Sequence, residues 1–371
     1  MTLSDPQFSS SSLRDSPFVR NLWYVAAWSH EVGAGGPVGR IVIGEPIVLF
    51  RRTDGAIVVL EDRCPHRHAP LSMGRVEGDG IRCMYHGLTF DMNGVCTSVP
   101  AVAAIPPGTC ARAFPAQERW NWIWVWMGDP AAADPAQIPD AFGLDDPEWV
   151  MRADALDYAA DYQLLHDNLC DLSHLDFVHE KTLGLASGSE WSNDFPQIRS
   201  LPDGLLIERW FLNNRRKLGS DVELVDTWSS YRFVLPGMFV LSTQSFLPGT
   251  AAASAFAAPS ATPLFRRRDQ QIVTPIAPGR SRYFYATGLH VSSAAPRHID
   301  GIFAVVNASF AEDKQIIEGQ QRIWDATPSD RRKTFLPQDK APFQFRKLIE
   351  RRLVAERAES NVAVGVAGAR S

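Results

Sequence analysis

The strongest constraint on this chain is a pair of short segments that each carry one cysteine and one histidine. The first reads Cys64-Pro65-His66-Arg67-His68-Ala69-Pro70-Leu71 and the second Cys83-Met84-Tyr85-His86-Gly87-Leu88. Thiolates and imidazoles are metal donors, and a shared centre requires a fold that brings the two arms together. Sixteen residues lie between His66 and Cys83, enough for a hairpin or two. Proline and glycine beside the donors favour tight loops at both arms. Zinc is one occupant to weigh, but zinc fingers usually present C-x₂₋₄-C and H-x₃₋₅-H pairs. Here both arms are mixed, C-x-H and C-x₂-H. That suits a cluster with two inequivalent irons, one held by two thiolates and the other by two neutral imidazoles, which raises the reduction potential above that of an all-cysteine cluster.

Around these arms the sequence reads as short strands and turns. Arg40–Arg51 and Ala56–Leu60 are β-rich, with Thr53-Asp54-Gly55 as a hairpin turn, and Leu88–Asp91 is a short strand turned by Asn93-Gly94. Trp120, Trp122, Trp124 and Trp126 alternate, which places all four on one face of a strand, read as a packed core face. Gly128-Asp129-Pro130 and the Ala/Pro/Asp-rich stretch after it mark a boundary near residue 130. Beyond it, 161–178 has helical character, β-rich pieces return from 198 to 290, and 301–324 and 343–356 read as helices. Residues 250–263, rich in Ala, Ser and Pro, look like a mobile excursion. The expected organisation is a disordered stretch 1–16, a small all-β domain 17–130, an α+β domain 131–356 and a flexible tail 357–371.

A cluster alone carries electrons; residues 161–179 suggest a second site. Asn168, Asp171 and His174 are three apart and share one helical face, while His179, five beyond His174, points elsewhere on a regular helix. Both histidines can bind one ion only if the helix ends or widens between them. Leu164, Leu165, Leu169, Leu172, Leu175, Phe177 and Val178 surround these polar groups, so the segment is expected to be buried, and buried Asp and His need partners or a metal. Two histidines and one carboxylate form the facial triad of non-haem Fe(II) oxygenases. From the residues alone, the carboxylate is Asp171, Asp176 or something distant.

C-P-H-R-H-A-P-L and C-x-Y-H-G-L resemble the two cluster-binding loops of the Rieske oxygenases, and D-N-L-x-D-L-x-H-x-x-x-V-H is similar to the iron-site helix of the vanillate O-demethylase-like members. The resemblance covers about Asn21 to Glu356. It implies a Rieske 2Fe–2S domain followed by a helix-grip-like α+β catalytic domain holding mononuclear Fe(II). It assigns Cys64 and Cys83 to one iron of the cluster and His66 and His86 to the other. His174, His179 and Asp313, the last within Phe310-Ala311-Glu312-Asp313-Lys314, become the ligands of the mononuclear iron, with Glu312 the neighbouring alternative. His68 becomes a structural or rim histidine; Cys96 and Cys110 are bystanders. Asn168 and Asp171 take catalytic roles, with Asp171 bridging the cluster of one subunit to His174 of the next in a head-to-tail homotrimer.

The implied activity is monooxygenation of an aromatic or alicyclic compound, most often as O- or N-demethylation, with electrons from a ferredoxin and/or a flavin-containing NAD(P)H reductase. Ring cis-dihydroxylation and a bare Rieske electron carrier are the rivals. The substrate pocket is expected between Phe239 and His290 and at the start of the late helix, with Phe239, Ser242, Gln271, His290, Ala304 and Asn307 as candidates and no Arg or Lys anchor for a carboxylate. A net charge of −5 gives no reason to expect nucleic-acid binding, and the runs Arg215–Lys217 and Arg266–Arg268 each read as a solvated face. No run approaches the ~18 apolar residues of a membrane span. Five cysteines, an odd number, fit metal ligands plus bystanders better than a disulfide framework, and the chain reads as cytoplasmic.

Overall fold

Alternation is visible first in the tryptophan strand. Trp122, Trp124 and Trp126 are fully buried, and so are Ile123 and Val125 between them, so both faces of Trp122–Trp126 are covered. Trp120 is not part of the stripe. It sits at φ 61° beside Asn121 at φ 59°, in the two-residue turn that joins Ala116–Arg119 to Trp122–Trp126. The computed structural model describes residues 18–33, 35–101, 103–184, 191–193, 195–218, 221–293, 298–328, 330–331 and 333–368; for 216–218, 221–223 and 359–368 it describes the backbone alone. The serine-rich stretch 1–16, expected to be disordered, lies outside the described residues.

The described chain divides into two compact units. The first comprises 20–145 with 274–277, and the second 146–273 and 278–368 together with 18–19. Three sheets build the first unit. One has Trp23–Trp28, Trp122–Trp126 and Ala116–Arg119 side by side. Another orders Val38–Val42, Glu45–Arg51, Ile57–Glu61 and Ala113–Phe114, and the third Arg75–Glu77, Gly80–Arg82, Thr89–Phe90 and Cys96–Ser98. The run Arg40–Arg51 is thus two strands, broken at Ile43-Gly44, both at positive φ (44° and 83°) as a tight hairpin turn requires. Nor does the unit stop at Gly128-Asp129-Pro130. Trp23 Nε1 donates to the Asp134 carbonyl (2.9 Å) and Trp120 Nε1 to that of Pro139 (3.1 Å), which keeps residues up to 145 with the first unit.

The second unit is built on a seven-stranded sheet. Its order is Trp149–Tyr158, Arg280–His290, Phe265–Ala277, Met238–Phe246, Asp221–Val234, Gly204–Leu218 and Gln197–Leu201. Six strands follow one another as a meander, and Trp149–Tyr158 pairs antiparallel with the last of them. The long helix His298–Ala326 lies on this sheet. The Tyr158 hydroxyl donates to the Phe310 carbonyl (3.3 Å), the Tyr285 hydroxyl donates to Asn307 Oδ1 (3.0 Å), and Tyr283 and Tyr285 pack edge-on against Phe310. This is the helix-grip-like arrangement expected. Residues 250–263 carry a short helix, Thr250–Ala253, and the Gly249 and Ala251 N–H groups donate to Asp226 Oδ2 (2.8 and 3.1 Å). The last helix, Lys340–Gly368, runs through most of the expected tail; no glycine or proline interrupts it between Phe343 and Gly365. Among the described residues no helix is long and apolar enough to cross a membrane.

Candidate functional site

The two mixed arms fold into matching loops. The Cys64 N–H donates to the Ala69 carbonyl (2.9 Å) and the His68 N–H to that of Cys64 (2.9 Å); the Cys83 N–H donates to Leu88 O (2.8 Å) and the Gly87 N–H to Cys83 O (2.9 Å). In each loop the fourth residue after the cysteine is left-handed, His68 at φ 58° and Gly87 at φ 78°. This gives His68 its structural place: it turns the first loop as Gly87 turns the second. The two thiols are buried in one apolar cluster with Val48, Phe50, Leu60 and Phe90, whereas His66 and His86 are exposed with ring centroids 4.6 Å apart. Burial raises the Cys64 thiol pKa, opposed by the His66 and Arg67 N–H groups, and neighbouring Cys83 adds to the rise. Two inward sulfurs and two outward imidazoles on paired loops fit a 2Fe–2S cluster with one thiolate-held and one imidazole-held iron. Cys96, buried, donates to Ser98 O (3.4 Å), and Cys110 is exposed; neither belongs to the loops.

The second constellation sits where a helix breaks. Asp161 caps Tyr162–Cys170 by accepting from Gln163 N–H (3.0 Å), and the helix stops at Asp171 (φ −118°, ψ 102°). A single 3-10 turn, Leu172–His174, and a short helix, Leu175–Val178, follow. His174 closes the 3-10 turn and His179 caps the end of the short helix (φ −104°, ψ 26°), so the two histidines do not share one regular helix. Donor atoms of His174, His179 and Asp313 lie within 4.8 Å of one another. The Asp313 carboxylate faces both Nε2 atoms, 3.6 Å from His174 and 3.2 Å from His179. Neither Asp171 nor Asp176 joins this group among the described residues.

Hydrogen bonds fix the tautomers. His174 Nδ1 lies 2.6 Å from the Asp171 carbonyl, which only accepts, so Nδ1 carries the proton and Nε2 keeps its lone pair for an ion. His179 Nδ1 donates in the same way to Glu312 Oε2 (2.9 Å), which also accepts from the Thr182 hydroxyl (2.7 Å). Glu312 is therefore the partner that orients a ligand. Burial lowers the His174 pKa against the opposing Asp313 charge; for His179, burial is outweighed by Asp313 and Glu312, and the pKa rises. Asn168 Nδ2 donates to Asp313 Oδ1 (2.9 Å) and lies 3.2 Å from His174 Nε2. The Asp171 carboxylate caps the 3-10 turn at Ser173 N–H (2.9 Å), so it is the main-chain oxygen of Asp171, not the side chain, that meets its own subunit's His174. This donor set, two imidazoles with exposed lone pairs and one carboxylate, fits a mononuclear iron.

The triad opens on a cavity of about 780 Å³. Of the six pocket residues expected, Phe239 and Gln271 line it. Ser242 lies one residue out of phase with Phe239, Leu241 and Thr243, which face the cavity. His290 stacks edge-on against Trp149 (5.2 Å) and bonds Ser292 Oγ (2.7 Å); Ala304 is exposed, and Asn307 is held by Tyr285. The basic run 266–268 is not a solvated face. Arg267 lines the cavity, paired to Asp269 Oδ1 (2.7 Å), while Arg268 is 4% exposed, bonded to Asp146 (3.0 Å) and stacked on Trp149. Strand alternation, the signal that could have placed Arg267, was present: Phe265, Arg267, Asp269 and Gln271 share one face. Arg215 is exposed, and the side chains of Arg216 and Lys217 lie outside the description.

A family model of the Rieske 2Fe–2S domain matches residues 22–112, and one of the vanillate O-demethylase oxygenase C-terminal domain matches 158–355, more than half of the chain. The chain belongs to the Rieske non-haem iron oxygenases of the vanillate O-demethylase type. It is 38% identical over 344 residues to the iron–sulfur subunit of the toluene-4-sulfonate monooxygenase system of Comamonas testosteroni, covering 91% of this chain and 98% of that protein. To the vanillate O-demethylase oxygenase subunit of Pseudomonas sp. strain HR199 it is 30% identical over 361 residues, 94% of this chain and 98% of that one. The crystal structure of dicamba monooxygenase with non-haem iron and dicamba superposes with a TM-score of 0.77 at 28% identity, covering 93% of this chain and all of that one. This Rieske oxygenase is an oxidoreductase whose cofactors are a 2Fe–2S cluster and a mononuclear non-haem iron. The bare electron carrier falls away, since a carrier has no use for the triad and its cavity.

Proposed function

We propose that this oxygenase hydroxylates a carbon of an aromatic or alicyclic substrate and that the outcome is O- or N-demethylation. The observation that carries the reading is the His174/His179/Asp313 triad opening into a large cavity walled by Leu169, Leu175, Phe239, Leu241, Phe265 and Val305. Cys64 and Cys83 hold one cluster iron, His66 and His86 the other, and the triad holds Fe(II). When bound, the cluster supplies electrons singly and the Fe(II) centre activates O₂. The chain's own residues do the rest. Asp171 O and Glu312 hold the Nδ1 protons of the two imidazoles and so aim both Nε2 atoms at one point. Asn168 steadies the carboxylate between them. The apolar walls exclude water and orient a ring. A hydroxylated O-methyl or N-methyl group is a hemiacetal or hemiaminal, which collapses to formaldehyde and a phenol or amine. The named relatives include an O-demethylase and a sulfonate-system subunit, which supports an aromatic substrate.

Electrons come from a separate NAD(P)H-dependent reductase, through a ferredoxin or a flavin centre, in the cytoplasm. The working assembly is a head-to-tail homotrimer in which Asp171 faces the cluster histidine of a neighbouring subunit; a rotational head-to-tail interface closes such a ring. In support, Asp171 is half-buried and borders a hollow of about 200 Å³ lined by Trp191, Pro337 and Lys340. The test is a screen of methoxy- and N-methyl-aromatics with the purified, reductase-supplemented oxygenase. Formaldehyde released one for one with O₂ consumed supports the reading. A cis-diol product, or O₂ uptake without formaldehyde across the screen, overturns demethylation.

A further inference from the structure

The cavity wall contains a row of polar side chains that the triad does not use. Ser229, Thr243 and Arg267 sit on three adjacent strands, directly opposite one another in register: Ser229 pairs with Thr243 and Thr243 with Arg267. All three line the cavity. Side chains opposite one another on a sheet face lie roughly 5 Å apart, so the row is a single cluster. The neighbouring positions on this face are mixed: Phe265 and Asp269 flank Arg267, Leu241 lies two residues from Thr243 and Thr227 two from Ser229, and all four line the cavity.

Asp269 fixes the guanidinium. It accepts from both Nε (3.2 Å) and Nη2 (2.7 Å) of Arg267 through one oxygen, Oδ1, and is itself only 4% exposed on its side chain. Arg267 Nη1 carries no protein partner among the described residues, and neither does the Thr243 hydroxyl. Ser229, 1% exposed, has a hydroxyl with no partner among the described residues. Asp269 Oδ2 and Ser229 Oγ are shut off from free space, so the groups the row offers to a ligand are Nη1, a donor, and the Thr243 hydroxyl, which can donate to an acceptor. Facing the cavity without a protein partner among the described residues, these groups are placed to donate to an acceptor on a bound ligand.

We propose that Arg267 and Thr243, held by Asp269 and backed by Ser229, form the specificity subsite of this oxygenase and that it takes an oxyanion, carboxylate or sulfonate, borne by the aromatic substrate. This rests on the oxygenase reading of the triad and adds the charge class of its substrate. Because Asp269 already opposes the Arg267 charge, the anion is held by hydrogen bonds from a fixed guanidinium edge more than by net attraction. With its oxyanion anchored on the sheet and its ring against Phe265 and Leu241, the substrate keeps one orientation in the cavity shared with the triad.

The test measures equilibrium binding, by anaerobic calorimetry, of 4-methoxybenzoate, 4-methoxybenzenesulfonate and the neutral methyl 4-methoxybenzoate to the metal-replete enzyme. Either anion should bind at least about tenfold more tightly than the ester, as loss of a charge-assisted hydrogen bond brings. The tighter of the two anions identifies a planar or a tetrahedral oxyanion as the better fit. Arg267→Gln alone leaves Asp269 buried and unpaired, so it is combined with Asp269→Asn, which restores an amide pair. That double variant should lose roughly 10- to 100-fold on the anions and stay within about twofold on the ester. Thr243→Val, which keeps the shape, should weaken the anions about threefold or more and leave the ester unchanged. An ester that binds as tightly as the anions, a double variant that weakens all three probes alike, or no binding of either anion overturns the subsite. Iron content and visible cluster absorbance of the same samples report on the oxygenase reading separately. Their absence would sink that reading whatever the probes do, and their presence leaves the binding preference to judge the subsite.

Discussion

His166 should make the stability of this enzyme depend on pH through a group that is a ligand of neither metal site. It lies inside the helix Tyr162–Cys170, 1% exposed, edge-on to Tyr162, Phe233 and Phe345, and neither ring nitrogen has a hydrogen-bond partner among the described residues. Burial, reinforced by the Arg346 guanidinium, depresses its pKa to about 3. An unfolded histidine titrates near 6.5. Above that value both states are neutral at this group, so it adds no pH dependence. Between about 6.5 and about 3 the unfolded chain takes up a proton that the folded one refuses, and stability falls as the pH drops. At pH 5 the loss amounts to about 2 kcal/mol. His166→Leu removes the proton-binding group while keeping an apolar body of similar size. The variant's own packing change is the same at every pH, so the quantity to read is how its Tm offset from the parent differs between pH 8 and pH 5, at matched scan rate. A relative gain of roughly 4 °C or more is expected at pH 5 for a unit of this size. An offset that is equal at the two pH values would refute the neutral, buried His166.

Three further outcomes follow from the two metal sites. Gly87→Ala forces a side chain into φ 78° with its Cβ 2.8 Å from Pro100 Cγ, and should cost the cluster loop on the order of 1–2 kcal/mol, read as faster loss of visible absorbance on warming. Asp313→Ala should remove the mononuclear iron and leave the cluster spectrum intact, measured as two irons per chain where the parent has three; three irons in the variant would count against Asp313. Glu312→Ala releases the Nδ1 proton of His179 and should weaken iron binding about 10- to 100-fold in competition with a chelator, with Glu312→Gln partly restoring it.

Much of this architecture is written locally. The mixed Cys/His arms define the paired loops because donors, tight-turn residues and short flanking strands all point the same way. Strand pieces such as Leu205–Leu212 and Thr227–Val234 fall inside longer strands, Gly204–Leu218 and Asp221–Val234, since alternation identifies strands better than it ends them. The errors arise where one residue of register decides a direction. Trp120 keeps the spacing of its neighbours but occupies a turn, because Ala116–Arg119 and Trp122–Trp126 need two left-handed residues to reverse the chain. Ser242 lies on the expected strand, yet it is its neighbours Leu241 and Thr243 that face the cavity. Arg266–Arg268 looks like one charged patch in sequence and becomes two opposite faces in the sheet: Arg266 and Arg268 over Trp149, Arg267 toward the cavity.

The iron-site segment shows why donor identity is easier to read than donor orientation. Spacing alone says that His174 and His179 cannot share an ion on an unbroken helix, and the chain meets that condition with a 3-10 turn that ends at His174 and a short helix that ends at Val178. The residue that ends the preceding helix Tyr162–Cys170 and starts this turn is Asp171. One oxygen of its carboxylate, Oδ1, caps the next turn while its carbonyl holds His174, a division of labour between side chain and main chain that no residue pattern encodes. For His179 the same task falls to Glu312, 133 positions away in sequence and next to the third donor, Asp313. On a helix, adjacent side chains diverge by about 100°, so Asp313 and Glu312 cannot both face the ion. One faces the two Nε2 atoms, and the other reaches the far edge of a ligand's ring. The adjacent acidic pair Glu312-Asp313 is thus not a donor with a spare beside it but two carboxylates with different jobs, and exchanging their order should abolish iron binding even though the composition of the site is unchanged.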